Sequence, residues 1–397
     1  MRARARPKGA LILGADYRAL GAARSLGRRG IPVWMLVEPG EPLARVSRYS
    51  RRSIRWPEGG EADRLAFLCE LGASNGIEGW ALIPSSDVTA ALVARGHAEL
   101  GRHFTHTIPP WDVVRWAYDK RRTHELAERV GVASPRTVGA AAAVGAAAPS
   151  LVFPAILKPA IKEEANALTS AKAWRIADRA ELDRRYQEAC ELIDPELLLV
   201  QEHVSGGGES QFSYAALCRD GVPIASVTAR RTRQYPADFG RASTFVETVE
   251  CSEIVEPSIS LLHEMGYTGL IEIEYKRDSR DGAFKLLDMN PRIWGWHSVC
   301  ARAGVDFPWL LWLLVCGDQV PPSQSRAGVG WLRLSTDTPM AAKEVIRGRL
   351  PIREYARSLR RPRESAIFAW DDPLPGLAEF PLLAYVFARR LWHGEPV

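Results

Sequence analysis

The chain has 397 residues, of which 46% are hydrophobic and 25% charged, as in ordinary globular proteins. Its length predicts two or three domains, and a net charge of +5 with a pI near 8.9 is too small by itself to indicate nucleic-acid binding. The basic clusters at the N-terminus and at residues 48–55 are interpreted as solvated faces or anion contacts. Six widely spaced cysteines without a C-x-x-C pair argue against a disulfide framework or a zinc site.

Hydropathy predicts no membrane span. The apolar run at residues 10–15 is interrupted by Asp16 and Arg18 too early for a signal peptide, and Phe307 to Cys316 is about half a bilayer span. We therefore expect a soluble, cytoplasmic protein. The last helix, "PLLAYVFARRLW", is amphipathic, and packing on the protein body is favoured over peripheral contact with a membrane.

The first third of the chain predicts a parallel α/β domain. Strand, helix and strand signals over residues 10–37 form a βαβ unit, but Gly14 and Gly21 do not make a G-x-G-x-x-G motif. A further strand, "GWALIPSSD", ends in polar residues, at the edge where open α/β sheets bind ligands. Asp87 is thus predicted either to contact a ligand or to cap the next helix.

Two lysines follow this domain. One helix is predicted from about Trp111 to Val130 and carries Lys120, which could also lie on a solvated face. The alanine-rich residues 139–148 fit either a linker or a short helix. The strand "AILKP" ends in Lys158, and a lysine after an Ala-Ile-Leu run needs an anion as its partner.

A β-hairpin with a polar end carries the most informative pattern. "GLIEIEYKRDSRDGAFKLLDMN" predicts two strands, with Glu272 and Glu274 on one face of the first and Asp288 and Asn290 on one face of the second. The turn would bring Glu274 and Asp288 together. Two carboxylates and an amide are suitable ligands for a Mg²⁺ ion that also binds substrate phosphates. Arg292, two residues further on, could then stabilise negative charge on a transferred phosphoryl group.

A second strand end completes a nucleotide site. A base is expected against the backbone of Glu202, His203 and Val204, and Glu209, seven residues after Glu202, would reach the ribose hydroxyls. The segment "ELLLVQEHVSGGGESQFSYAAL" predicts two strands around a glycine-rich turn.

An arginine-rich strand and a tryptophan pair are the candidates for a substrate pocket. Arg230, Arg231 and Arg233 either bind the carboxylate of an acceptor through the guanidinium fork or form an exposed basic strand. Trp294, Trp296 and His297 are expected to shape the same pocket, where His297 is either a base or a packing residue.

The order of these parts resembles the ATP-grasp superfamily. The resemblance covers roughly residues 10–318: a βαβ domain, a lysine in a helix, a lysine after a strand, "QEHV", an acid seven residues later, and an acid followed by acid-x-Asn-Pro-Arg on the next strand. It implies an α/β (α+β) fold with a Rossmann-like pre-ATP-grasp domain before a two-lobed ATP-grasp domain. The implied units are 1–108 (pre-ATP-grasp), 109–195 (small lobe), 196–318 (large lobe with the metal site) and 319–397 (C-terminal extension).

The resemblance also implies roles and cofactors. ATP would lie on Lys120, Lys158, Glu202, His203, Val204 and Glu209; Mg²⁺, replaceable by Mn²⁺, on Glu274, Asp288 and Asn290; and Arg292 would steady an acyl phosphate. Arg230, Arg233, His297 and Asp87 are the candidates for substrate binding. A homodimer is one implied oligomeric state.

Two segments, "KPAIKEEANALTSAKAW" and "RRTRQYPADFGRAST", resemble the carboxylate–amine ligase branch that includes D-aspartate ligases. The prediction is therefore an ATP-dependent ligase for small-molecule carboxylates and amines.

Residues 159–171 contain no glycine, unlike the phosphate-covering loop of most superfamily members. The residues expected to replace its hydrogen bonds are Lys162, Asn166, Thr169, Ser170 and Lys172. This departure leaves two alternatives open: another ATP-grasp chemistry such as carboxylation, and a nucleotide-binding regulatory protein with weakened catalysis.

Overall fold

The computed structural model describes residues 6–38, 43–144, 151–161, 166–235, 242–360 and 363–382. Some sequence predictions fall on residues outside these ranges. They are Lys162, the end of the alanine-rich segment, part of "RRTRQYPADFGRAST", and the last amphipathic helix with Leu383, Val386, Leu391, Arg389 and Arg390.

The N-terminal domain is a four-stranded parallel sheet in the order β3-β2-β1-β4, as the βαβ pattern predicts. Its strands are β1 (Ala10–Leu13), β2 (Val33–Val37), β3 (Ser50–Arg55) and β4 (Ala81–Pro84). Its helices are α1 (Tyr17–Gly27), α2 (Glu61–Ser74), α3 (Asp87–Arg95) and α4 (His97–His103). Ser86, not Asp87, caps α3 by accepting a bond from Thr89 N, so the capping alternative for Asp87 is wrong.

The next unit, a small lobe, is built on an antiparallel sheet in the order β5-β8-β6-β7. Its strands are β5 (Thr137–Gly139), β6 (Ala155–Pro159), β7 (Trp174–Ile176) and β8 (Leu198–Glu202). The helices before and within it are α5 (Trp111–Tyr118), α6 (Lys120–Arg129), α7 (Ala140–Ala143), α8 (Ala167–Ala171) and α9 (Arg179–Cys190).

One long helix was predicted where the structure has α5 and α6. The chain breaks at Asp119, whose backbone is extended and whose carboxylate accepts a bond from Arg121 N. The capping side chain therefore outweighs the continuous helical pattern, because Asp favours caps over helix interiors. As a result Lys120 is the first residue of a helix.

The large lobe is a seven-stranded sheet in the order β13-β12-β9-β10-β11-β14-β15. Its strands are β9 (Gln211–Arg219), β10 (Val222–Tyr235), β11 (Ala242–Thr248), β12 (Gly269–Arg277), β13 (Phe284–Asn290), β14 (Gly330–Leu332) and β15 (Arg363–Ser365). The helices are α10 (Val255–Met265), α11 (His297–Ala303), α12 (Phe307–Val315), α13 (Leu334–Ile346) and α14 (Ile352–Leu359), and residues 374–382 are also helical.

Two of the predicted boundaries do not follow the sheets. The boundary at 195 would assign β8 to the large lobe, yet β8 pairs with β5 and β6 of the small lobe. The predicted extension that starts at 319 contributes β14 and β15 to the large-lobe sheet. Backbone pairing, which the sequence pattern does not specify, decides both assignments.

No single helix among the described residues is long and apolar enough to cross a membrane; α11 and α12 meet that test only as a pair, bent by 91°.

One hydrophobic core joins the N-terminal domain to the large lobe. Helix α1 packs on α11 and α12, and Trp294, Trp296 and Trp331 are fully buried in this core. The expectation that Trp294 and Trp296 line a substrate pocket is therefore wrong. Their burial instead holds the carboxyl ends of β1 and β4 beside the end of β13, since large aromatic side chains contribute most to such packing.

A buried ion pair attaches the C-terminal segment to the N-terminal domain. Arg24 Nε of α1 donates to Asp372 Oδ2 at 2.9 Å, and Ser47 Oγ and the backbone N–H of Arg48 donate to the same carboxylate. Both ionic side chains are almost fully buried. The neighbouring Asp371 pairs with Arg28 at the surface instead.

Asp372→Ala is expected to lower the free energy of unfolding by about 3–5 kcal/mol, because it leaves the Arg24 guanidinium buried without its partner. Asp371→Ala is the matched control and should cost at most about 1 kcal/mol, since its pair is exposed. Urea unfolding of both variants measures the difference. Equal losses would mean that the C-terminal segment does not depend on the buried pair.

Candidate active site

The hairpin of β12 and β13 brings the predicted acidic residues together. In this antiparallel pair Glu274 lies opposite Asp288, and Glu272 lies opposite Asn290. A β-bulge between Glu274 and Tyr275 leaves Leu287 without a partner on β12. All four polar side chains are buried, so they must be satisfied by one another or by buried cations.

Glu274 is held by three donors. Arg231 of β10 donates from Nη2 to Oε1 at 3.0 Å, and Gln211 of β9 donates to Oε2 at 3.1 Å. Asn290 donates from Nδ2 to Oε1 at 3.2 Å. Arg231 was only a candidate for acceptor binding in the sequence analysis, and Gln211 had no predicted role. Both face Glu274 because β9 and β10 are the next strands of the sheet.

Glu272 lies deeper than Glu274. It accepts hydrogen bonds from Ser213 Oγ at 3.0 Å and from Trp296 Nε1 at 2.7 Å. Burial, with the charge of Glu274 beside it, raises the pKa of the Glu272 carboxyl. Glu272 therefore supports the hairpin rather than facing the cavity described below.

Arg292 links the hairpin to the N-terminal domain. Its Nε donates to Asp87 Oδ1 at 2.9 Å and its Nη2 to Asp87 Oδ2 at 3.2 Å, and Nη2 also donates to Asn290 Oδ1 at 2.8 Å. Nη1 donates to the carbonyl of Ile293. Asp87 was predicted to contact a ligand; the structure shows it as the bidentate partner of Arg292.

The two predicted lysines approach the hairpin from the small-lobe side. Lys120 Nζ lies 3.4 Å from Asp288 Oδ1, and Lys158 Nζ donates to Gln201 Oε1 at 2.9 Å. Both side chains are buried. Burial and then the charge of Lys120 lower the pKa of Lys158 to about 7. Burial of the His124 imidazole, together with the charges of Lys158 and Lys120, lowers the pKa of His124 to about 3. Such a cluster favours an anion as ligand.

A cavity of about 730 Å³, including its open mouth, lies between the small lobe and the hairpin. Seven of the predicted site residues line it: Lys120, Lys158, Glu202, His203, Val204, Glu274 and Asp288. Lys172, Gln201, Gln211, Gln234 and Lys276 supply further polar walls. A smaller adjoining cavity is lined by Asp87, Tyr118, Lys120, Asp288 and Asn290.

The predicted nucleotide residues differ in how their side chains are used. The carboxylate of Glu202 lies within hydrogen-bonding distance of Arg280 and of Lys285, both from the hairpin, so its side chain joins the two lobes. Glu202, His203 and Val204 line the cavity, and the binding of a base against their backbone stays a prediction. Glu209 is exposed in the Gly208–Ser210 turn and does not line the cavity.

Among the described residues that were expected to replace a phosphate-covering loop, Lys172 lines the cavity. Asn166 and Thr169 bond to each other as the capping box of α8, so the prediction that they replace a phosphate loop is not supported. Lys172, at the end of α8, has φ +69° and lines the cavity. A positive φ is unfavourable for a lysine, and such strain is found at functional sites.

Two predicted substrate residues are occupied elsewhere. Arg233 forms a bidentate pair with the fully buried Asp337, with both N···O distances 2.8 Å, donates to Ser358, and lines neither cavity. His297 is buried against Gly21 of α1, and its Nε2 lies 2.9 Å from the Arg18 carbonyl. Both assignments are corrected to structural roles. Arg230 is half-exposed beside Glu247, and its substrate role stays a prediction.

The donor set fits a magnesium ion held jointly with phosphates. Glu274 and Asp288 present two carboxylates to one cavity, and Asn290 lies beside them on the hairpin. Among the described residues, no cluster of three or more His, Cys, Asp or Glu could hold a metal alone. Mg²⁺ commonly takes one or two carboxylates from a protein and completes its shell with water and phosphate oxygens. Glu274 and Asp288 supply two such carboxylates.

Comparisons with known proteins agree with this geometry. Residues 195–333 match the family described as ATP-grasp in the biosynthetic pathway with Ter operon. Among solved structures, the L-amino acid ligase from Bacillus licheniformis matches with 14% identity and a TM-score of 0.61, covering 80% of this chain and 78% of that chain. No curated protein sequence matches.

Two further solved structures are carboxylating enzymes by name. One is the biotin carboxylase domain of Hydrogenobacter thermophilus 2-oxoglutarate carboxylase in complex with MgADP, ADP and bicarbonate. It matches with 18% identity and a TM-score of 0.63, and the match covers 82% of this chain and 74% of that chain. The other is N5-carboxyaminoimidazole synthetase from Staphylococcus aureus: 12% identity, TM-score 0.56, 81% of each chain. The chain thus has the ATP-grasp fold, and its residues 195–333 match an ATP-grasp family model.

Proposed function

We propose that the protein is an ATP-dependent ligase that joins a carboxylate to an amine through an acyl phosphate. The observation that carries the proposal is the pairing of Glu274 with Asp288 at a cavity that also holds Lys120 and Lys158. Phosphoryl transfer from ATP requires acidic residues that bind a metal ion and cationic residues that bind the phosphates. In this cavity the two groups of residues lie on facing walls.

In the proposed site the small lobe binds the triphosphate. Lys120 and Lys158 contact phosphate oxygens, and the backbone of residues 202–204 receives the base. The pKa of Lys158 is lowered in the free protein, so its charged form is disfavoured there. In the proposed site a bound phosphate stabilises the charged form. Mg²⁺, once bound, would neutralise charge between the phosphates.

In the proposed reaction a carboxylate oxygen of the substrate attacks the γ-phosphorus, and the bond to the bridging oxygen breaks as ADP leaves. The amine nitrogen then attacks the acyl carbon, the bond to the phosphate oxygen breaks, and the amine's proton passes to phosphate or solvent. To Arg292, two residues beyond β13 and bonded to Asn290, we assign the stabilisation of charge on the transferring group. Asp87 fixes the direction of its guanidinium.

Carboxylation is the second candidate, because two of the similar structures are carboxylating enzymes. Both candidates use ATP to activate a carboxyl group, so the same buried residues serve either. Measuring ADP formation against a panel of amino acids, small acids and bicarbonate separates them. Dependence on an amine supports the ligase, and dependence on bicarbonate with no need for a carboxylic acid supports carboxylation.

Asp288→Asn is expected to abolish Mg²⁺-dependent ADP formation, because the amide removes one of two anionic metal ligands. Asp281→Asn makes the same change in the exposed turn of the same hairpin and should leave turnover intact. Coupled assay of ADP, with circular dichroism as the test of folding, measures both. Near-normal turnover of the first variant would show that Asp288 holds no metal.

ATP binding is expected to take up close to one proton at about pH 8.5, where Lys158, with a pKa of about 7, is mostly neutral in the free protein and charged beside phosphate. The complex then binds more protons than the free protein, so ATP affinity should fall as the pH rises above about 7. Calorimetry in buffers of different ionisation enthalpy measures the uptake. Lys158→Arg, which stays charged, should remove it; persistence of the uptake would assign the proton to another group.

Arg292→Ala is expected to lower kcat by a factor on the order of 10²–10³, comparable to the loss of one oxyanion donor, with little change in the KM for ATP. Arg277→Ala, at the turn end of β12, is the control and should leave both constants unchanged. Steady-state kinetics separate the two effects. A variant with normal kcat and a raised KM would place Arg292 in ground-state binding and remove its role in phosphoryl transfer.

A further inference from the structure

The C-terminal surface, defined as residues 343–380, exposes an unusual number of apolar side chains. Fourteen large apolar residues are exposed among the described parts of the chain, and seven of them lie within residues 343–380. Trp370 is 90% exposed and Ile346 is 85% exposed. Scattered exposed apolar residues need no explanation, but a concentration of this kind marks an interaction surface.

The exposed residues are carried on fixed elements. Trp370 lies two residues before Asp372, whose carboxylate is buried against Arg24, and its ring contacts Phe368 edge-on with centroids 5.0 Å apart. Leu374, Leu377 and Phe380 recur at helical spacing in residues 374–382 and are all exposed. The same helix is tied to α13 by the ion pair of Glu379 with Arg333.

The first part of this segment is strongly basic. Residues 343–364 contain eight basic and three acidic residues, a net charge of +5, which equals the net charge of the whole chain. Ile346 and Ile352, both exposed, lie among these arginines. Apolar side chains set among arginines are typical of surfaces that enter the headgroup region of a lipid bilayer.

Helix α14 presents its arginines away from the protein. Arg353, Arg357 and Arg360 recur at i, i+4 and i+7, and at 100° per residue they share one face. The opposite face packs on the large lobe, where Arg233 stacks on Tyr355 and donates to Ser358. Within the described residues none of the three arginines has an acidic partner, and all three side chains are exposed.

We propose that the C-terminal surface docks this protein on an anionic membrane, with the α14 arginines on lipid headgroups and Trp370, Leu377 and Phe380 in the outer acyl region. Each arginine near an anionic surface adds to the attraction, and the apolar side chains add area removed from water. The inference is independent of the ligase chemistry, because none of these residues lines either cavity at the hairpin.

Two other partners fit less well. A nucleic acid would use the arginines but would leave the aliphatic Ile346, Ile352 and Leu377 without a role. A second copy of this chain, docked through the same surface about a two-fold axis, would bring two segments of charge +5 together. Of these three partners, an anionic bilayer is the one that satisfies both the charge and the apolar side chains.

The test is sedimentation of the full chain with vesicles of pure phosphatidylcholine or with about 30% phosphatidylglycerol. We expect binding to the anionic vesicles that weakens as salt is raised. Arg353→Glu with Arg357→Glu should lower the partition coefficient roughly 30-fold or more. The matched control reverses Arg51 and Arg55, which have the same i, i+4 spacing and are exposed on β3, and should bind like the parent.

Trp370→Ser with Leu377→Ser should also reduce vesicle binding, whereas Val46→Ser with Val222→Ser, at exposed apolar sites elsewhere, should not. Thermal unfolding of every variant checks that the fold is intact. The proposal is overturned if the parent does not bind anionic vesicles or if the control pairs lose as much binding. It is also overturned if the protein binds nucleic acid or dimerises through this surface instead, as shown by sedimentation equilibrium and gel shift.

Discussion

The cross-strand register of β12 and β13 decides the chemistry of this protein, and a single bulge sets that register. Near the turn, Tyr275 faces Leu286, and continuing that register would place Glu274 opposite Leu287. Because Leu287 is bulged out, Glu274 faces Asp288 instead and Glu272 faces Asn290. A shift of one residue would turn the polar set to the other side of the sheet. Bulges near functional sites commonly re-aim side chains in this way.

Once the acids are together and buried, the rest of the site must balance their charge. Arg231 from β10 pairs with Glu274, Lys120 from α6 lies beside Asp288, and Arg292 bonds Asn290 and Asp87. A buried carboxylate without such partners would be strongly destabilising or would take up a proton. Each partner comes from a different element, so the charge balance also holds the lobes in their arrangement.

Lys158 is the opposite case, a buried cation that donates a hydrogen bond to the neutral Gln201. Burial and then the charge of Lys120 lower its pKa, so the charged form is disfavoured in the free protein. A phosphate would stabilise the charged form, which is why this lysine, more than Lys120 with its carboxylate neighbour, is suited to report nucleotide binding. The same region contains Lys172 in a strained conformation, and with Lys276 four lysines line one cavity.

Local pattern was sufficient to predict what lies within one element or one turn. The hairpin, the alternation that puts Glu272 and Glu274 on one face, and the burial of Lys158 all follow from neighbouring residues. Arg231, Gln211 and the pairing of Asp87 with Arg292 depend on which strands and domains become neighbours, and no local spacing encodes that. Arg233 was misassigned for the same reason, because its partner Asp337 lies 104 residues away.

The N-terminal domain gains its connection to the site from the same long-range geometry. At the carboxyl end of its sheet Ser85 Oγ donates to the Leu13 carbonyl, and a Cβ on Gly14 would lie 2.1 Å from that hydroxyl oxygen. The two strand ends are therefore drawn tightly together, and α3 starts immediately beyond them with Asp87 in its first turn. From there the carboxylate reaches Arg292 across the domain boundary. Because Arg292 also bonds Asn290, any movement of the N-terminal sheet relative to the hairpin would be transmitted to the proposed metal site.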